Sequence, residues 1–179
     1  LFDEIHVSTD DDEIFSIASN LGAKPKFKRS SILAGDSIPI MDVLRKVQEE
    51  YENVGLYYDE IWLLMPCAPL LEVTDLVSAS TVFASELNSE AMMSVCEYPA
   101  PIEWAFKQKG RKFIANNVNK LTIDSKKITK NYYDSASFVI YKNKKFFKKK
   151  AFSKYYSYIM PKNRSIDIDD HQDWKIAEA

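Results

Sequence analysis

Runs of apolar residues alternate with polar breaks along the chain, and two periods govern them. "EIWLLMP" (residues 60–66) and "AMMSVCEY" (residues 91–98) are continuous apolar runs. Such runs fit strands buried on both faces. "YYDSASFVIYK" (132–142) and "YYSYIMP" (155–161) read as further strands, and residues 5–8, "IHVS", as a short one. Between them the apolar spacing turns helical. In "DDDEIFSIASNLGA" the residues Ile14, Ile17, Ala18 and Leu21 share one face, Thr9 or Asp10 offers an N-cap, and Gly22 marks the stop. Residues 41–51 predict a second helix with Val43, Leu44 and Val47 inward. "TDLVSASTVFASEL" predicts a third with Thr74 as cap, and "DDHQDWKIAEA" a last one capped by Asp169 or Asp170. "WAFKQKGRKFIANN" reads as a helix and a strand, and "NKKFFKKKAF" as a short basic helix.

The order βαβαβ with short connections predicts an α/β fold, a mostly parallel sheet flanked by helices. Ligands bind such sheets beyond the carboxyl ends of the strands. Those ends are "STDD", "PCAP" and "EYPAP" here.

Composition narrows the picture without changing it. A chain of 179 residues with 46% hydrophobic content and a net charge of -2 is an ordinary globular domain. It gives no broad electrostatic reason to expect nucleic acid or an anionic membrane as partner. No apolar run approaches the roughly 20 residues that span a bilayer. The two cysteines, Cys67 and Cys96, lie far apart in apolar contexts and read as buried reduced thiols. Two His and two Cys make a structural zinc site a poor fit. His6 and His171 read as structural rather than as general bases. The six lysines of residues 142–150 read as a solvated helix face.

"SIDIDDHQDW" (165–174) carries the strongest candidate chemistry, with aspartates at 167, 169, 170 and 173. If "SIDID" is extended, its period of two turns Asp167 and Asp169 the same way. Paired carboxylates repel unless a cation lies between them. Magnesium is held by one or two carboxylates together with substrate phosphates. A capped, solvated helix start explains the same residues more simply, and spacing alone leaves both readings open. "LLMPCAPL" ends a strand in a stiff turn, which is either a plain strand stop or a rim that faces a ligand. Arg29 in "KFKRSS" is a surface arginine unless a strand end brings phosphate or carboxylate to its fork.

Taken in order, "FDEIHVSTDDDEI", "FKRSSILAGD", "LLMPCAPLLEVTDL", "YPAPIEWAF", "YYDSASF" and "IDIDDHQDW" resemble the cytidylyltransferases that activate nonulosonic acids, the CMP-sialic acid synthetase-like enzymes. "YPAPIEWAF" and "YYDSASF" are most similar to the pseudaminic acid cytidylyltransferase branch. The resemblance implies a Rossmann-like nucleotide-diphospho-sugar transferase fold with a small protruding lobe, often paired as a homodimer in the cytoplasm. It implies transfer of CMP from CTP to a nonulosonic acid for surface glycan biosynthesis, with Mg²⁺ and release of pyrophosphate. By the same resemblance Asp167 and Asp169 hold the metal and Arg29 contacts nucleotide. Ser37 supplies the hydroxyl after "LAGD", and Pro66, Cys67, Ala68 and Asp134 face the sugar.

Some positions depart from the family pattern. Cys67 stands where the family has Thr, Met65 where Gln or Tyr is common, and Ile38 and Ile40 where hydroxyls are expected. None of the four glycines forms the family's phosphate-wrapping loop, so the expectation is a single domain over residues 1–179 that lacks its N-terminal strand and that loop. Two alternatives stand beside the pseudaminic acid reading: a sialic or legionaminic acid enzyme, and a non-catalytic nucleotide-sugar-binding relative.

Overall fold

A computed structural model describes residues 1–86, 90–143 and 154–179. The chain divides into two compact units, Leu1–Asp59 and Glu60–Ala179. The basic helix expected over residues 143–152 falls almost wholly outside the described residues.

The first unit holds helix α1 (Asp12–Asn20) and helix α2 (Ile40–Asn53). Asp11 caps α1, its carboxylate accepting from the Glu13 and Ile14 amides at 2.8 and 2.9 Å. The expected cap Thr9 instead accepts from the Asp11 amide. Val43, Gln48 and Tyr51 are the buried residues of α2. Tyr51 packs edge-on against His6, Phe27 and Tyr58. Two expectations fail in this unit. Residues 5–8 form no strand, because no ladder partner is present among the described residues. The face of Ile14, Ile17 and Leu21 is not buried: only Ala18 of the expected four is covered.

The second unit contains β1 (Glu60–Leu64), helix α3 (Val73–Ser85), β2 (Ala91–Glu97), β3 (Phe106–Lys109), β4 (Lys112–Ala115), β5 (Tyr132–Lys142), β6 (Tyr156–Ile159) and helix α4 (His171–Glu178). One sheet has the order β1-β5-β2-β6. β5 is antiparallel to both β1 and β2, and β6 is parallel to β2. The mostly parallel expectation is therefore corrected to a mixed α/β sheet: β1, β2 and β6 point one way, and β5 is inserted between β1 and β2 in reverse. A strand buried on both faces has the same apolar texture in either direction, which is why the sequence pattern did not show the reversal. Phe138, Ile140 and Met92 at 0% exposure, with Phe83 at 1%, form the core around this sheet.

Residues 104–117, expected as a helix and a strand, form the β3–β4 hairpin. Lys109 pairs with Lys112, leaving Gly110 and Arg111 as a two-residue turn. Gly110 has φ +61°, which a glycine adopts without the Cβ clash of other residues.

β5 does not run smoothly. Met93 faces Val139, yet Val95 faces Asp134, so β5 humps outward over Ser94. Buried Ser94 fills the gap, its hydroxyl accepting from the Phe138 amide and the Ser135 hydroxyl at 2.9 Å each. Ala136 is held at φ +50°, and its amide donates to Asp134 Oδ1 at 2.9 Å. Such bulges re-aim the residues at a strand's end. No helix among the described residues is long and apolar enough to cross a membrane.

Candidate functional site

Strand directions decide which loops meet. The carboxyl ends of β1, β2 and β6 and the start of β5 lie along one edge of the sheet. That edge carries Pro66, Cys67 and Ala68 after β1, Asp134 at the start of β5, and Asp167 and Asp169 after β6.

The segment 165–169 joins no ladder, so it is not the strand that its alternation allows. One backbone bond ties it to the β1 rim, from the Ile168 amide to the Cys67 carbonyl at 2.9 Å. Helix α4 follows at once. Asp170 caps it, accepting from the Gln172 and Asp173 amides at 2.7 and 3.1 Å. Asp173 reaches back and accepts from the Asp169 and Asp170 amides, both at 3.1 Å. This reciprocal box satisfies orphan donors at the helix start. It also divides the acidic cluster: Asp170 and Asp173 are engaged in the cap, and the carboxylates of Asp167 and Asp169 are not part of it.

Asp167 is half-buried, and its Oδ1 is shut off from solvent without a hydrogen-bond partner. Asp169 is exposed. Both carboxylates act on Cys67. Burial, the Asp167 carboxylate against the thiol and the charge of Asp169 together push that thiol up to about 11. In the metal-free protein a thiol so raised stays protonated at neutral pH. Asp167 and Asp169 offer carboxylate oxygen, the donor that magnesium prefers. Among the described residues no group of three or more His, Cys, Asp or Glu converges as a metal site. A magnesium ion held there would take most of its ligands from water and substrate phosphates, and the unpartnered Asp167 Oδ1 is an atom that such an ion would satisfy.

A direct consequence concerns reactivity. In the metal-free protein, alkylation of Cys67 by iodoacetamide should climb with pH through about 11, far above the ordinary thiol range. Cys96, at 1% exposure, should stay silent. A rate that levels off near pH 8.5, the free-thiol value, would contradict the described surroundings of Cys67.

Ala68 is buried, Cys67 half-buried and Pro66 exposed, so the rim presents its first residues outward. Asp134 is exposed, one carboxylate oxygen being taken by the Ala136 amide. The other two predicted residues belong to the first unit. Arg29 is bound there to Asp10, Nη2 to Oδ1 at 3.2 Å, and its Nε is buried without a partner. Ser37 lies exposed in a turn before α2. His6 is held below its usual range by burial, opposed by Glu4, and it contacts the Tyr51 hydroxyl at 3.2 Å. His171 is the exposed first residue of α4.

One group of residues escaped the sequence reading. Asp75, read past in favour of Thr74, is 1% exposed and bonded to Arg164, Tyr158 and the Glu72 amide. The cap of α3 is Glu72, with Asp75 completing its box. The only signal in the sequence was an acid three residues into a helix after a glutamate.

No protein-family profile matches the chain. It is 28% identical to the pseudaminic acid cytidylyltransferases of two strains of Campylobacter jejuni, over 187 residues that cover 99% of this chain and 78% of each relative. It is 25% identical to the N-acylneuraminate cytidylyltransferase of Escherichia coli, over 99% of this chain and 42% of that protein. These homologues are named as nucleotidyltransferases of the group that the ordered segments resemble.

Proposed function

We propose that this protein transfers CMP from CTP to a nonulosonic acid, with pseudaminic acid as the first candidate, giving a CMP-sugar for surface glycans and pyrophosphate. The observation that carries this reading is the joint one: relatives named for that reaction span nearly the whole chain, and the segment bearing Asp167 and Asp169 is bonded to the β1 rim. In this reading the anomeric hydroxyl oxygen of the sugar attacks the α-phosphorus of CTP, and the bond to the β-phosphate oxygen breaks. A magnesium ion on Asp167 and Asp169 would supply neutralisation of phosphate charge. The chain's own residues do the positioning. Arg29 and Ser37 contact nucleotide, and Arg29 brings a guanidinium with an unpartnered Nε. Pro66, Cys67, Ala68 and Asp134 line the sugar side, and the protonated Cys67 offers a compact, weakly polar surface where a hydroxyl would demand a partner.

Similarity to the N-acylneuraminate enzyme supports a second reading, with sialic acid as substrate. The two separate in one experiment: the protein, CTP and magnesium incubated with equimolar pseudaminic and sialic acids. The proposal expects the CMP-pseudaminate mass to dominate. Dominant CMP-sialate moves the assignment to the second reading, and absence of any CMP-sugar ends both.

The β3–β4 hairpin is the proposed seat of a homodimer. Phe106 and Phe113 lie on one face of it, 51% and 67% exposed. Phe113→Asp should shift the sedimenting species from dimer to monomer, and an unchanged mass would remove the hairpin from the interface.

A further inference from the structure

Residues 164–168 are fastened at both ends to the connection that runs from β1 into α3. At one end the Ile168 amide donates to the Cys67 carbonyl at 2.9 Å. At the other, Arg164 Nη2 donates to Asp75 Oδ1 at 2.6 Å, and Nη1 lies 3.4 Å from Glu72 Oε2. Asp75 Oδ1 also accepts from the Tyr158 hydroxyl at 3.0 Å, and Oδ2 from the Glu72 amide at 3.1 Å. Both carboxylate oxygens of Asp75 are thus bonded, and at 1% exposure the residue is nearly sealed from water. Asp167 sits on the short span between the two fastenings, with its own Oδ1 buried and unpartnered. A short span of backbone has few ways to move when both ends are bonded, so the ends fix where the carboxylate between them lies.

We infer that the Asp75–Arg164–Tyr158 network is a positioning device that sets the Asp167 carboxylate against the β1 rim. This rests on the proposed role of Asp167 as a metal-binding carboxylate, and it assigns Arg164 and Asp75 a task in that role without contact to substrate. Geometry rather than charge carries the effect: the planar guanidinium spans Asp75 and Glu72 at once, which a lysine ammonium does not reproduce.

The test is built on Arg164→Lys, which keeps the charge and loses the fork, and on Tyr158→Phe, which removes one hydrogen bond to Asp75. Two readouts are needed. Hydrogen exchange at the Ile168 amide reports the span itself, with no dependence on metal. Mn²⁺ binding to the CTP-loaded protein, followed by electron paramagnetic resonance, reports the carboxylate. Arg164→Lys should speed Ile168 exchange and weaken Mn²⁺ binding, each by about 10-fold, with Tyr158→Phe in the same direction and smaller. The Phe138 and Met92 amides in the sheet core should exchange as in the parent protein. Unchanged Ile168 exchange in both variants overturns the inference. So does an acceleration shared equally by the sheet amides, which would mark general destabilisation. A parent protein that binds no Mn²⁺ with CTP refutes the metal role of Asp167, while Ile168 exchange still decides whether the network holds the span.

Discussion

Asp169→Asn should lower the rate of the proposed CMP-sugar formation by about 100-fold or more, because one anionic oxygen donor would be lost while shape is kept. Asp167→Asn should do the same and add a second cost: an amide N–H₂ at a carboxylate oxygen now sealed without a partner meets no acceptor. Neither change touches the cap of α4, which depends on Asp170 and Asp173. Asp169→Asn should therefore unfold close to the parent temperature, and Asp167→Asn a few degrees below it for its unsatisfied amide. Rates within a few-fold of the parent would remove these aspartates from the reaction; equal losses of rate and of folding would make them structural.

The second large effect is on stability. Asp75→Ala leaves Arg164 and Tyr158 facing a cavity that their partner has vacated, and breaking a pair buried on one side in this way costs about 3 kcal/mol. For a chain of this size that is roughly a 10 °C fall in unfolding midpoint. Acid should act on the same bond. Burial alone raises the Asp75 carboxyl, but bonds from Arg164, the Glu72 amide and Tyr158 outweigh it and hold the group below its ordinary value of 3.8. The folded state thus keeps this charge to lower pH than the unfolded chain does. Its contribution is whole above the ordinary carboxylate range and is lost as pH falls through that range toward the lowered folded value. Urea unfolding from pH 6 to pH 3 should show a steeper loss for the parent than for Asp75→Asn. Parallel curves would mean that the carboxylate carries no such linkage.

The unequal fortunes of these residues show what local pattern can reveal. Asp170 as a cap was readable, since capping joins neighbours in the chain. The amphipathic spacing of α2 and the apolar runs of β1 and β2 were readable for the same reason. The Asp75–Arg164 bond joins residues 89 apart, and nothing in either neighbourhood announces it. Residues 5–8 have the composition of a strand, but a strand exists only with a partner, and the described residues supply none. The hairpin had its signal in Gly110–Arg111, a two-residue turn between segments whose expectation was a helix and a strand. The candidate site shows the same split. Which aspartates are free of the cap follows from bonds near in sequence, whereas the placement of Cys67 beside Asp167 depends on how β1 and the segment after β6 come together.

The most direct measurement follows phosphorus from CTP labelled at one position, with magnesium and pseudaminic acid present. Label at the α-phosphate should appear in the CMP-sugar, and label at the β- or γ-phosphate in pyrophosphate. Release of α-label as free CMP, or of γ-label as orthophosphate, would instead describe hydrolysis and contradict the transfer of CMP to a sugar acid.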